Sequence, residues 1–215
     1  MPPALLETAP RESDGAQRAE AILDCARAAF IEKGFEGASM QDLARAAGMS
    51  AGNFYRYFPS KSALVDALIA RDLQEVQESF QAIVASPDPM AAMKAALRER
   101  LREEVCQGED ALWAEIFATG ARRPEVAAAL RRMEEGIVGP LAEVLAVVHG
   151  VPRAEAPARF AAHARLIFLI MHAAMTNNHA DQPHDHRLIE LILRTIDRLV
   201  DGALLDTASG IEDHP

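Results

Sequence analysis

Side chains that can hydrogen-bond to DNA lie close together in one short segment of the sequence. Asn53 carries an amide, which can pair with adenine in the major groove. Arg56 can reach a phosphate or a guanine base, and the phenols of Tyr55 and Tyr57 suit phosphate oxygens. These residue types in this order predict a surface that binds DNA, provided that the segment is a helix with its polar side outward.

The elements that must position these side chains are two short helices joined by a glycine turn. Gly48 follows a helically spaced run, and glycine just beyond a helix end takes the left-handed backbone conformation without a Cβ clash. Ser50 is suited to cap a second helix over Ala51–Phe58, which Pro59 ends. A Gly-Met-Ser turn alone fits an ordinary helical hairpin. The whole string from Ser39 to Leu64 favours a helix-turn-helix.

The start of the second helix is built from small residues. Glycine is about 1 kcal/mol less favourable than alanine inside a helix, so Ala51-Gly52 is a poor choice for stability. The pair makes sense where the backbone must approach another surface closely. Phe54 and Phe58, four residues apart, would then hold the helix to the protein core.

From about Arg18 to Leu68 the chain resembles the tetracycline-repressor (TetR) family of bacterial transcription regulators. The matching residues are Gly34-Phe35, Ser39, Leu43-Ala44, Ala47-Gly48-Met49-Ser50, Gly52, Phe54-Tyr55, Tyr57-Phe58 and Ser60-Lys61-Ser62-Ala63-Leu64. The resemblance implies phosphate contacts from Ser39, Tyr55, Tyr57 and Lys61, and base contacts from Gln41, Ala51, Gly52, Asn53 and Arg56, with Ser50 at the same surface.

The composition predicts an all-α protein with two domains. Half of the 215 residues are apolar, and runs rich in Val, Ile and Thr are missing. We expect about nine helices: an N-terminal helix-turn-helix DNA-binding domain over residues 17–64 and a C-terminal helical ligand-binding and dimerisation domain over residues 65–206. Flexible tails are expected at residues 1–16 and 207–215. The net charge of −10 is compatible with DNA binding, because no acidic residue falls between Ala44 and Leu64.

Glycine and proline positions predict where the longer helices begin and end. A first helix is expected over Gln17–Lys33, and a long one over Lys61–Ala85. Pro124 is expected to begin a helix that reaches His149, because proline is well tolerated in the first turn. Pro140 lies inside this pattern, so a kink or break is expected near Gly136–Gly139.

The last two predicted helices, residues 157–177 and 186–205, carry apolar stripes wider than one neighbouring helix needs. Either both helices pack only on their own domain, or they also cover a second copy of the chain. The resemblance to the TetR family implies the second: a four-helix bundle across a two-fold axis, which presents two DNA-binding heads to a palindromic site. The predicted interface residues are Ile167, Ile170, Leu188, Ile192, Ile196 and Leu199.

Apolar and aromatic side chains of the middle helices are candidates for a ligand pocket. Such residues are more often plain core, and both interpretations stay open. Arg165, His172, Thr176 and His179 add a polar stripe that suits a ligand's polar group, an interfacial seam or a solvated edge. The predicted ligand is a small apolar effector of unknown identity with one polar group. The predicted lining is Met93, Leu97, Trp113, Phe117, Met133, Phe168, Met171 and His172.

Other functional classes find little support in the sequence. No Gly-rich phosphate loop, HExxH, GxSxG or CxxC motif occurs, so neither enzyme activity nor a cofactor is expected. The His and Asp residues between His179 and His186 are of types that bind zinc, but their spacing matches no defined site, so no metal is expected. The chain has neither the order of a signal peptide nor an apolar stretch long enough for a bilayer, and we expect it in the cytoplasm.

These features together predict a homodimeric, ligand-responsive transcription regulator that binds double-stranded DNA, most simply a repressor. An activator of the same fold stays open, because the difference lies in the position of the DNA site. A sequence-tolerant architectural DNA binder is the alternative from another class. Such a protein is expected to be basic overall, and this chain is acidic.

Overall fold

The computed structural model describes residues 11–107, 110–176 and 186–202. These ranges hold nine α-helices and one short 3₁₀ helix and no β-strand, so the predicted all-α fold is confirmed. The helices are α1 (Arg11–Lys33), α2 (Met40–Ala46), α3 (Ala51–Tyr57), α4 (Lys61–Ala85), α5 (Pro89–Gln107), α6 (Asp110–Gly120), α7 (Pro124–Val148), the 3₁₀ helix (Arg153–Glu155), α8 (Ala156–Thr176) and α9 (His186–Val200). No helix in the described ranges is both long and apolar enough to cross a membrane.

The chain divides into two compact units, and the first runs to Leu68. Its described part holds α1, α2, α3 and the start of α4. Phe30 of α1 is buried, and its ring centroid lies 5.1 Å from that of Phe35. Leu43 of α2 and Phe54 of α3 are fully buried. One small aromatic and aliphatic core therefore holds the two short helices in place.

The second unit begins at Ile69, and its most extensive helix pair is α7 with α8. Leu145 and Phe160, one from each of these helices, lie in its main hydrophobic cluster. The ion pair between Arg98 of α5 and Asp197 of α9 joins two further helices at the surface of the unit. This cluster is formed by residues of α4, α5, α7, α8 and α9.

Helix α1 begins at Arg11, earlier than the predicted Gln17. Residues 11–16 therefore belong to this helix, and the prediction that they form a flexible tail is wrong. A glycine inside a helix costs only about 1 kcal/mol, so Gly15 does not interrupt a helix of 23 residues. The predicted tail residues 1–10 and 207–215 lie outside the described residues.

Two other boundaries also shift. The first unit extends to Leu68 rather than to residue 64, because α4 is one continuous helix whose first turns belong to that unit. Helix α9 ends at Val200, before the predicted Leu205. Gly202 follows with a φ of 74°, a left-handed conformation that ends a helix.

Helix α7 is continuous through Pro140, so no break occurs near Gly136–Gly139. A proline inside a helix removes one backbone hydrogen bond and costs about 3 kcal/mol or more. Met133 and Leu141, which lie before and after this point, are both buried. Packing on both sides therefore outweighs the local cost and keeps the helix whole.

Candidate DNA interface and ligand cavity

The turn between α2 and α3 is closed by backbone hydrogen bonds around a glycine. Gly48 has a φ of 64°, and its N–H donates to the carbonyl of Arg45 at 3.0 Å. The Met49 N–H donates to the Ala44 carbonyl at 2.9 Å, which completes the end of α2. Ser50 caps α3 by accepting a hydrogen bond from the Asn53 N–H at 3.4 Å. The predicted glycine turn and serine cap are confirmed.

Helix α3 separates its aromatic side chains by face. Phe54 and Phe58 are buried with ring centroids 6.3 Å apart, whereas Tyr55 and Tyr57 are exposed. Between the tyrosines, Arg56 is exposed as well. The phenylalanines therefore fix the orientation of α3, and its polar side faces outward as the sequence predicts.

The start of α3 offers open space to an approaching surface. Asn53 is exposed, Ala51 is half-buried, and the exposed Gln41 lies near the start of α2. A Cβ added to Gly52 would meet no other atom of this chain within 4 Å. The fold itself therefore does not require glycine at this position.

Ser39 takes part in a capping box at the start of α2, and its phosphate contact stays a prediction. Its hydroxyl donates to the Asp42 carboxylate and accepts the Asp42 N–H at 3.1 Å, and its own N–H donates to the same carboxylate at 3.0 Å. The Ser39 hydroxyl and the Lys33 ammonium hold the pKa of the Asp42 carboxyl well below its ordinary value. A hydroxyl has one proton to donate. Ser39 donates it to Asp42 at the start of α2.

Lys61 is also committed within the first unit. Its ammonium donates to the carbonyls of Phe35 and Glu36, at 2.7 and 3.0 Å, and lies 5.3 Å from the centroid of the Phe35 ring. Two of the three ammonium N–H groups are thereby used on the loop that follows α1. Lys61 therefore ties the start of α4 to that loop, and its phosphate contact stays a prediction.

All of the predicted lining residues lie on the wall of one cavity in the second unit. The cavity has a volume of about 490 Å³ and is bounded by α4, α5, α6, α7 and α8. Trp113 and Met133 are buried, and Phe117 and Phe168 are partly exposed to the cavity or to solvent. Whether a ligand occupies the cavity stays a prediction.

Helix α4 contributes a wall that the sequence analysis did not assign. Val76, Phe80 and Ile83 recur at helical spacing, which is the signal that could have placed this helix against the cavity. The lining residues not predicted from the sequence are Asp72, Leu73, Glu75, Val76, Ser79, Phe80, Ile83, Ala96, Glu99, Arg100, Ile137, Leu141 and Ile167.

A row of rings stands at one side of the cavity. The Phe117 ring centroid lies 6.5 Å from that of Trp113 and 3.9 Å from that of His172. The rings of His172 and Phe168 are nearly parallel at 6.1 Å. Burial lowers the pKa of His172, which favours the neutral imidazole. The row therefore presents aromatic surface, with the imidazole of His172 between the rings of Phe117 and Phe168.

Of the predicted polar stripe of α8, His172 lines the cavity and Arg165 does not. Arg165 is exposed and pairs with Glu134 at 2.8 Å. The Thr176 side chain and residues 179–185 lie outside the described residues. Within the part of the chain that is described, no group of three or more His, Cys, Asp or Glu could hold a metal ion.

Three predicted interface residues are buried in their own chain. Ile167, Ile196 and Leu199 are each about 1% exposed, and Ile167 also lines the cavity, so they are corrected to core residues. Each belongs to the side of its helix that packs on neighbouring helices of the same unit. Ile170 and Ile192 are partly buried.

Other leucines of α8 and α9 are exposed instead, and the sequence analysis chose only one of them. They are 41% to 61% exposed. We call this set the leucine face, and it consists of Leu166, Leu169, Leu188 and Leu191.

Comparisons with known proteins agree on one family. The family model described as "Bacterial regulatory proteins, tetR family" matches residues 22–68. The HTH-type transcriptional regulator UidR of Escherichia coli (strain K12) is 34% identical over 110 residues, which cover 51% of this chain and 55% of UidR. RutR of the same strain is 33% identical over 98 residues, or 46% of each chain. The chain thus matches about half the length of these curated relatives.

A solved structure extends the likeness beyond the first unit. Salmonella enterica GusR superposes with a TM-score of 0.69 at 25% identity, covering 88% of this chain and 96% of GusR. The curated relatives are named transcriptional regulators rather than enzymes, in agreement with the prediction for this chain. Residues 22–68 thus belong to the tetR family of bacterial regulatory proteins, whose curated relatives are named HTH-type transcriptional regulators, and the fold of the chain is similar to that of GusR.

Proposed function

We propose that this protein is a repressor that binds a palindromic DNA operator as a homodimer and is released by a small molecule. The observation that carries the proposal is the outward polar side of α3, where Asn53, Tyr55 and Arg56 are exposed beside the open backbone of Gly52. Amide and guanidinium groups read base edges, and phenols bind phosphates. Because its target is DNA, we expect the protein to act in the cytoplasm.

The leucine face supports assembly into a dimer. Exposed leucines on two helices of one unit lose contact with water when a second copy covers them, at about 25 cal/mol per Å² of apolar surface. A two-fold dimer uses the same face on both subunits. It also presents two copies of α3 to two half-sites related by the same symmetry, as a palindromic operator requires.

The cavity and α4 support release by a ligand. Leu73, Val76 and Phe80 of α4 line the cavity, and the same continuous helix begins at Lys61 in the first unit. A ligand that binds one position of α4 better than another shifts the population of DNA-binding states. FadR from Bacillus subtilis, which has a similar fold at 17% identity and a TM-score of 0.64, was solved with stearoyl-CoA.

A repressor is favoured over an activator by one relative. KstR2 of Rhodococcus jostii, which is 35% identical over 75 residues, is named a transcriptional repressor. An architectural DNA binder is disfavoured by the net charge of −10, since such proteins depend on overall positive charge for affinity. The proposed regulator instead concentrates its DNA contacts on one helix.

Selection of binding sites from random DNA tests the proposal. The wild type should return a palindrome, and Asn53→Ala should relax the preference at particular bases of each half-site. Gln17→Ala removes an exposed amide of the same unit away from α3 and is the matched control. A wild type that selects no sequence, or an Asn53→Ala variant with the wild-type consensus at equal stringency, would contradict base reading by α3.

A further inference from the structure

Aromatic side chains are concentrated on the wall of the cavity. Phe, Trp and Tyr make up only 5% of the chain, yet four of them line this site. In the row of rings, Phe117 lies between Trp113 and His172, with centroid distances of 6.5 and 3.9 Å. His172 lies in turn 6.1 Å from Phe168, and Phe80 lines the cavity from α4. A ligand that fills the cavity therefore contacts ring surface contributed by α4, α6 and α8.

Methionine forms another part of the wall. Met93, Met133 and Met171 line the cavity from α5, α7 and α8, and all three are buried. A thioether sulfur makes favourable contacts with an aromatic ring, and the unbranched side chain adapts to its shape. The other apolar lining residues are aliphatic and accept an aromatic or a saturated body alike. The methionines therefore add to the preference of the rings for an aromatic ligand.

The charged lining residues that the structure describes belong to α4 and α5. Asp72, Glu99 and Arg100 already have interactions within the chain, and Glu75 is exposed to solvent. Burial lowers the pKa of His172, which favours its uncharged form. Among the described lining residues, a charged ligand would thus find no buried counter-charge to replace its water, which is unfavourable.

We propose that the ligand of this cavity is an uncharged aromatic compound, held against the row of rings of α6 and α8. The proposal rests on the ligand-binding function proposed above. A cavity of about 490 Å³ lies in the usual range for sites of drug-sized molecules. Aromatic rings attract one another beyond the burial of apolar area, because their faces are negative and their edges positive. A wall lined by rings therefore distinguishes an aromatic body from a saturated one.

Calorimetric titration of the full-length protein with two alcohols of similar shape tests the aromatic preference. Biphenylmethanol should bind about tenfold tighter than its saturated counterpart, bicyclohexylmethanol. Apolar area alone would favour the saturated alcohol, which is the more apolar of the two. A preference for biphenylmethanol therefore reports contacts that are specific to rings.

Two charged probes of the same shape test the second half of the proposal. Biphenylmethylamine and biphenylcarboxylate carry opposite charges at neutral pH and keep both rings. Each should bind about tenfold more weakly than biphenylmethanol, because an ionised group loses water on entering the cavity.

Variants of α8 then locate the aromatic preference. Phe168→Leu removes a half-buried ring and should weaken biphenylmethanol binding by about fivefold, with bicyclohexylmethanol binding unchanged. Phe160→Leu is the matched control, because Phe160 is buried in the same helix and does not line the cavity. Met171→Leu keeps the side-chain volume, removes the sulfur and should weaken biphenylmethanol binding by about twofold to threefold.

The outcomes separate this proposal from the general function of the protein. If bicyclohexylmethanol binds as tightly as biphenylmethanol, the aromatic proposal is overturned while ligand binding by the cavity stands. A charged probe that binds as tightly as biphenylmethanol would overturn the uncharged class. If neither alcohol binds, the proposal and the ligand function of the cavity fall together, whereas selection of DNA sites still tests the regulator. An aromatic preference that Phe168→Leu leaves unchanged would overturn the assignment to the row of rings.

Discussion

The candidate functional side chains of the first unit are exposed, whereas those of the second unit line a cavity. In the first unit, Asn53, Arg56 and Tyr55 are exposed, and Phe54 alone among these neighbours is buried. In the second unit, the candidates surround a cavity, and Trp113 is only 7% exposed. The proposed DNA recognition thus uses residues that the fold does not need, whereas the proposed ligand recognition shares its residues with the core.

This difference determines what a substitution can reveal. A change on the outer side of α3 should alter binding with little effect on stability, because surface substitutions are usually within about 0.5 kcal/mol. A change in the cavity wall should affect both, because closely packed interiors respond to the loss of a single methylene group. The following predictions test that contrast, beginning with the largest effect.

The largest effects are expected for substitutions in α9, which has a buried side and an exposed side. Ile196→Asp places an unpaired carboxylate in the core and should lower the free energy of unfolding by about 4 kcal/mol or more. Leu191→Asp changes a residue that is 61% exposed, so it should preserve the folded monomer and prevent dimer formation. Thermal unfolding by circular dichroism and sedimentation velocity measure the two effects.

These two variants can contradict the proposed interface in a simple way. A Leu191→Asp protein that is still dimeric at micromolar concentration would place the interface elsewhere. Leu191→Ala is the control, because it shortens the side chain without adding charge. A wild type that sediments as a monomer would remove the homodimer from the proposed function altogether.

Lys61 tests whether a polar residue of the first unit serves the fold rather than DNA. Lys61→Met keeps the aliphatic stem but leaves the carbonyls of Phe35 and Glu36 without the ammonium group. The free energy of unfolding should fall by about 1–3 kcal/mol. Tyr55→Ala should leave it nearly unchanged and weaken binding to all DNA sequences alike. Urea unfolding and fluorescence anisotropy with DNA distinguish the two roles. Equal stability of Lys61→Met and wild type would mean that the hydrogen bonds of Lys61 do not stabilise the fold, and would favour the predicted phosphate contact.

Helical periodicity explains why so much of the cavity could be predicted. Residues such as Met93, Trp113 and Phe168 are apolar at helical spacing, and such residues turn toward the interior of a helical domain. The facing α4 was missed because its lining includes Asp72 and Glu75, which sequence patterns assign to a solvated side. Charged groups at the edge of a cavity look the same in the sequence as charged groups in solvent.

The interface and the capping residues were harder to predict for a different reason. A stripe that covers more than half of a helix contains both core and interface positions, and periodicity does not show which edge faces the same chain. Leu188 and Ile196 were both predicted as interface residues of α9, yet Leu188 is 54% exposed and Ile196 is buried. Ser39 and Lys61 likewise carry groups suited to phosphate, and only the fold shows that Asp42 and the Phe35 carbonyl already bind them.

Substitutions of two glycines test the same contrast between the units, and their expected effects are smaller. Gly52→Ala has open space and should raise the free energy of unfolding by about 1 kcal/mol, while it weakens operator binding if DNA approaches the α3 backbone closely. Gly136→Ala should lower stability by about 1–3 kcal/mol, since its Cβ would lie 2.9 Å from both methyl carbons of Leu73. Because Leu73 lines the cavity, ligand affinity should change as well.

The two glycine variants are compared in the same assays, urea unfolding and DNA binding without ligand. We expect opposite signs in stability and an effect on DNA only for Gly52→Ala. If Gly52→Ala binds the operator as well as the wild type, the open space at the start of α3 is not a site of close approach. If Gly136→Ala is as stable as the wild type, Leu73 can move aside without loss.

The smallest expected effect is a dependence of stability on pH that arises from Asp42. Its pKa is lowered in the folded protein by the Ser39 hydroxyl and the Lys33 ammonium, whereas in the unfolded chain it should be about 3.9. As the pH falls through that value, the unfolded chain takes up the proton before the folded one does. The stabilisation from Asp42 is therefore present above about pH 4 and lost below it.

Asp42→Asn should be less stable than wild type at neutral pH, and the difference should shrink as the pH is lowered below about 4. Urea unfolding at a series of pH values measures this convergence, and Asp66→Asn, an exposed aspartate of the same unit, is the control. A difference that stays constant over the whole pH range would mean that Asp42 stabilises α2 through its hydrogen bonds alone and not through its charge.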